Sequence, residues 1–142
     1  MNQTKQTTSR PSWAQVGRTT LLALLGGVAG NLIVWFVSSV VGEIRVDLLD
    51  VVLFSVLGAV AGGVLYRLLA WPFPDAQRRN RVFVAICILV LVVYAGAPIA
   101  ATTAPYKQGA QPFNLLTVVA TEIMHLVSGG FVIAAFTRSA SQ

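Results

Sequence analysis

The chain has 142 residues, 56% of them hydrophobic and 11% charged, against about 25% charged in an average soluble domain. A soluble fold of this size has nowhere to hide so much apolar surface, and a bilayer has. The net charge of +5 does not read as nucleic-acid binding, because the basic residues sit at the ends of apolar segments, where they set topology and attract anionic lipid.

Residues 1–11 are polar, with Lys5, Arg10 and Pro11 and no apolar run, and read as a tail. Ser12 and Gln15 have capping-box spacing, and Trp13 suits a membrane interface, so a helix is predicted to start there. The first span covers about 19–42, uninterrupted by charge between Arg18 and Glu43. Its apolar stretch exceeds the roughly 7–15 residues of a signal-peptide core, so it reads as a retained helix.

A short turn with Glu43, Arg45, Asp47 and Asp50 follows, and Asp47 is expected to cap the next helix. The second span covers about 48–71, with Arg67 near its end and able to snorkel to the headgroups. Trp71-Pro72-Phe73-Pro74-Asp75 stops it. Arg78, Arg79 and Arg81 precede the third span, about 82–104, and are expected to contact headgroups. Pro98 is predicted to kink that span. After a short loop, Pro112 suits the first turn of the fourth span, about 113–137. The expected fold is thus all-α, a single domain over residues 1–142 built as a four-transmembrane-helix bundle.

Topology follows from the Lys and Arg positions. Eight of the ten, Lys5, Arg10, Arg18, Arg67, Arg78, Arg79, Arg81 and Arg138, fall on one side, and only Arg45 and Lys107 on the other. The positive-inside rule therefore predicts both termini in the cytoplasm.

Packing between membrane helices relies on small residues. Gly26 and Gly30 form Gly-x-x-x-Gly on the first span, and Gly58 and Gly62 form another on the second. These glycines predict close contact between spans one and two, or a homodimer face.

The fourth span carries the unusual chemistry. Glu122 and His125 lie about 60° apart on one side of a helix, with Asn114, Thr117, Thr121 and Ser128 on the same broad side. An acid at mid-bilayer costs about 2.5–3.5 kcal/mol, so Glu122 is expected to be neutral or paired with His125. Asn31 and Tyr94 lie mid-way along their own spans. A mid-membrane polar cluster of Asn31, Tyr94, Glu122 and His125 is predicted. It serves either to orient helices or to handle protons or ions.

Other chemistry finds little footing. Glu-x-x-His is half of a carboxylate-bridged di-iron pattern, but the chain has a single His, and neither a metal nor another cofactor is expected. The lone Cys87 precludes an intramolecular disulfide and a Cys-x-x-Cys motif. No nucleophile elbow or phosphate-binding glycine loop occurs, and enzymatic activity is not expected. The expected partners are the lipid bilayer and a membrane protein or a second copy, with no nucleic acid.

In length and span number the chain resembles small multidrug transporters, which depend on a Glu in their first helix, where this chain has Asn31. It lacks the cysteine pairs of four-helix quinone reductases of the vitamin K type. Its layout is similar to that of an uncharacterised bacterial family of small four-span membrane proteins, above all in Glu122-Ile123-Met124-His125 followed by Ser128-Gly129-Gly130. That resemblance implies a bacterial cytoplasmic membrane and brings no known activity with it. The leading expectation is a structural or accessory membrane protein. The alternative is a small proton-coupled or ion transporter built around Glu122 and His125.

Overall fold

A computed structural model describes residues 10–105 and 108–139. Lys5, Lys107 and most of the expected amino-terminal tail lie outside the described residues. The elements are α1 (Trp13–Val41), α2 (Leu48–Leu69), α3 (Ala76–Tyr94), α4 (Gly96–Ala100) and α5 (Leu115–Ser139). Among the described residues four helical segments are long and apolar enough to cross a membrane, with α3 and α4 together forming the third. The chain is a multi-pass membrane protein.

Local chemistry sets the helix ends. Ser12 and Gln15 form a reciprocal capping box, with bonds of 2.8 and 3.2 Å, so α1 begins ahead of its apolar stretch. At 29 residues it is about 43 Å long, more than the ~30 Å hydrocarbon core. Asp75 caps α3 by accepting the Arg78 N–H at 2.7 Å. The third helix therefore starts at Ala76, and the three arginines expected before it lie inside its first turns.

Two capping expectations need correction. Asp47 holds the N-cap position of α2 but makes no side-chain cap bond. Pro112 lies before α5 rather than in its first turn. Asn114 takes the capping role, its Oδ1 accepting the Thr117 N–H at 2.8 Å. Pro98 has no N–H to offer the Tyr94 carbonyl, and the helix is interrupted at Ala95. The break is slight, because Ala95 keeps helical dihedrals of −59° and −22°.

α1 packs tightly against both α5 and α2, while α2 and α3 each meet α5, and one another, over smaller surfaces. At the arginine-rich end the core is aromatic. Tyr66 lies 5.1 Å from Phe83 and 4.9 Å from Phe136, centroid to centroid. Arg79 joins this core. It is only 3% exposed, and its guanidinium sits 5.1 Å from the Tyr66 ring centroid. Headgroup contact was expected of it; instead, a cation stacked on an aromatic face and donating to the Phe73 and Pro74 carbonyls at 3.4 Å stays inside. Arg67 likewise lies 5.1 Å over the Trp13 ring.

The opposite end is closed by hydrogen bonds. The α1–α2 loop reaches the start of α5 through the Arg45 N–H to Thr117 Oγ1 (3.0 Å) and Asn114 Nδ2 to the Glu43 carbonyl (2.8 Å). Arg45 Nη1 donates to the Pro112 carbonyl at 2.8 Å, and Trp35 Nε1 to the Val46 carbonyl at 3.1 Å. Phe113 N–H bonds the Ala101 carbonyl at 2.8 Å, closing the base of the α4–α5 connection. Within that connection Gly109 takes a φ of +82°, where a side chain is strained.

α1 and α2 do pack together, but the Gly-x-x-x-Gly pairs do not face one another. A side chain at Gly26 would run into Phe131, and one at Gly30 would meet Val127 at 2.6 Å, both on α5. Gly62 faces Val132 of α5 at the same distance, and Gly58 has nothing within 4 Å. It is Gly63 that lies against α1, at Thr20. The glycines mainly admit α5, because its bulky Val127, Phe131 and Val132 need the room.

Candidate functional site

The polar side of α5 is divided among three neighbours. Near its start, Asn114 and Thr117 hold the α1–α2 loop. Thr121 satisfies itself within the helix, its hydroxyl donating to the Thr117 carbonyl at 2.7 Å. Further along, Ser128 meets Asn31 of α1. Between them, Glu122 and His125 turn toward α3.

Asn31 stands at the junction of α1, α2 and α5 and is 4% exposed. Its Nδ2 donates to Ser55 Oγ at 2.8 Å and to Ser128 Oγ at 2.7 Å. The Ser55 hydroxyl in turn donates a hydrogen bond to the Val51 carbonyl at 2.6 Å. One side chain thereby links three helices. Asn31 Oδ1 is buried and has no partner among the described residues.

Glu122 and His125 occupy the α3–α5 seam. His125 Nδ1 stands 3.9 Å from Glu122 Oε2, and the two side chains are 32% and 29% exposed respectively. That separation is about 1 Å too long for a hydrogen bond. Glu122 Oε1 and His125 Nδ1 are both shielded and unpartnered. The Tyr94 ring stands edge-on to the imidazole, centroids 6.4 Å apart, and is 58% exposed. Gly129, one turn from His125, lets Leu91 of α3 close in, since a Cβ there would meet it at 2.8 Å.

Of the four residues expected to cluster, the structure brings Glu122, His125 and Tyr94 together. Asn31 belongs to a separate group with Ser55 and Ser128. Ser55 was not singled out from the sequence; the available signal was a hydroxyl in the middle of an apolar span, at the depth of Asn31. Among the described residues no three His, Cys, Asp or Glu side chains converge as metal ligands.

No protein-family model matches the chain, and neither does any curated protein or solved structure. The resemblance carried by Glu122 to Gly130 thus rests on the sequence alone. Fold and hydropathy together establish a small membrane protein with four candidate spans.

Proposed function

We propose that this chain is an accessory protein of a bacterial cytoplasmic membrane, with both termini cytoplasmic, that binds a partner helix along the α3–α5 seam and has no catalysis of its own. One observation carries this reading: mid-span Glu122 and His125, an acid and an imidazole in an otherwise apolar helix, keep about a third of their side chains exposed. Polar groups facing lipid are costly, and a helix laid over the seam offsets that cost by covering them and supplying hydrogen bonds. The excess of Lys and Arg at one end supports the orientation, and the likeness of the last span to a bacterial four-span family supports the compartment.

The test is photocrosslinking in native membranes from Val119, one turn from Glu122, compared with Phe36 on α1. A crosslinked species specific to Val119 and lost in Glu122→Gln/His125→Ala is expected. Equal crosslinking from both sites, or none from Val119, would overturn the proposal.

A second reading, proton-coupled transport, is favoured by the adjacency of three protonatable groups, Tyr94, His125 and Glu122. Proton flux into liposomes that Glu122→Gln abolishes would establish it over the first.

A further inference from the structure

We propose that the groove between α1 and α5 is a binding site for an anionic phospholipid, with one acyl chain in the groove and the phosphate held by Arg18 and Arg138. The groove has a volume of about 670 Å³ and opens sideways, with Thr19, Leu22, Leu126, Gly130, Phe131 and Ala134 in its lining and Arg138 at one end. From Arg138 to Leu126 it follows α5 for about 18 Å. Half of a ~30 Å hydrocarbon core is about 15 Å. The groove therefore starts at headgroup level and runs the depth of one leaflet, which is the length of an acyl chain.

The floor is open for want of a side chain. A Cβ at Gly130 would meet nothing within 4 Å. Unlike Gly26, Gly30 and Gly129, this glycine admits no neighbouring helix, and its absent side chain deepens a lipid-facing surface.

Charge selects the headgroup. Arg138 lies one turn beyond Ala134 on α5. Arg18, exposed, lies one turn before Leu22 on α1, so the two cations flank the mouth from both helices. A phosphodiester without a compensating ammonium suits this mouth better than a zwitterion.

The experiment is native mass spectrometry and thermal unfolding of the detergent-purified protein titrated with dioleoylphosphatidylglycerol or dioleoylphosphatidylcholine. The anionic lipid is expected to be retained roughly thirtyfold more tightly, the scale set by two arginines near an anionic surface. Gly130→Leu, and independently Ala134→Leu, fill the groove and are expected to weaken that retention by about tenfold. Unfolding of the lipid-free Gly130→Leu protein should be unchanged. Arg18→Gln/Arg138→Gln is expected to make the two lipids bind alike. Competition by inorganic phosphate alone would reveal an anion site with no use for the groove and would overturn the proposal. So would unchanged lipid retention in both groove-filling variants, or their turning a dimer into a monomer, which would make a second copy the occupant.

Discussion

Asn31 on α1 and Ser128 on α5, 97 positions apart in sequence, are joined by a 2.7 Å hydrogen bond, and the same amide nitrogen reaches Ser55 on α2 at 2.8 Å. This is the one place among the described residues where a single side chain is bonded to two other spans. It fixes the rotation of three helices about their own axes, which apolar packing between uniformly apolar surfaces leaves loose.

Asn31→Ala should therefore destabilise the protein by about 1–2 kcal/mol, the range for one or two interhelical hydrogen bonds in a membrane bundle. Reversible unfolding in mixed detergent measures it. A double-mutant cycle with Ser128→Ala should give a coupling of at least about 0.6 kcal/mol. Additive losses would mean the bond contributes nothing of its own.

Arg79 should behave as a core residue despite its charge. Arg79→Ala removes a buried cation from the Tyr66 ring and is expected to cost about 2 kcal/mol or more, whereas the exposed Arg81→Ala should stay within about 0.5 kcal/mol. Arg79→Lys should recover only part of the loss, since an ammonium cannot stack as the planar guanidinium does. Thermal unfolding of the three variants separates these outcomes, and similar melting of Arg79→Ala and Arg81→Ala would refute the assignment.

The glycines should divide sharply. Gly62→Ala drives a methyl into Val132, a stiff β-branched side chain on α5, and should cost about 1–3 kcal/mol. Gly58→Ala meets open space and should be neutral or stabilising by up to about 1 kcal/mol through helix propensity. Equal destabilisation of both would show that Gly58 faces a neighbour after all.

Asn114→Ala should cost about 1–2 kcal/mol, as for a lost helix cap, and should loosen the α1–α2 loop as well. Hydrogen exchange at the Arg45 amide is the direct readout, because that N–H donates to Thr117 Oγ1, which itself donates to Asn114 Oδ1 at 2.7 Å. Unaltered protection of Arg45 would disconnect the cap from the loop.

Glu122→Gln should leave the isolated protein as stable as before or more so, by at most the roughly 2.5–3.5 kcal/mol that a mid-bilayer acid costs. The 3.9 Å gap to His125 means little pairing energy is lost with the charge. A marked loss of stability, coupled to that of His125→Ala, would instead make the two a structural pair and weaken the partner-binding proposal.

Hydropathy and capping chemistry made the four apolar segments legible, and the Ser12–Gln15 spacing marked the start of α1. Less legible was where a helix begins when its first turns are polar. Asp75 starts α3 among arginines that hydropathy reads as loop. Helix rotation was hidden for a different reason. A span that is apolar all round has no periodic face to read, so nothing in the sequence turned Gly26 and Gly30 toward α5 rather than α2. The same blindness joined Asn31 to Glu122 by depth alone, when rotation sends it to Ser55 and Ser128.

The clamp between the α1–α2 loop and the first turn of α5 bears on how the protein is made. Residues 43–45 find their hydrogen-bond partners only at residues 112–117, which leave the ribosome much later. Until then an α1–α2 hairpin waits in the membrane with exposed backbone polar groups in its loop, and with the glycines that receive α5 uncovered. A ribosome that stalls before α5 should thus release a fragment carrying the marks by which membrane quality-control proteases distinguish unfinished chains from finished ones.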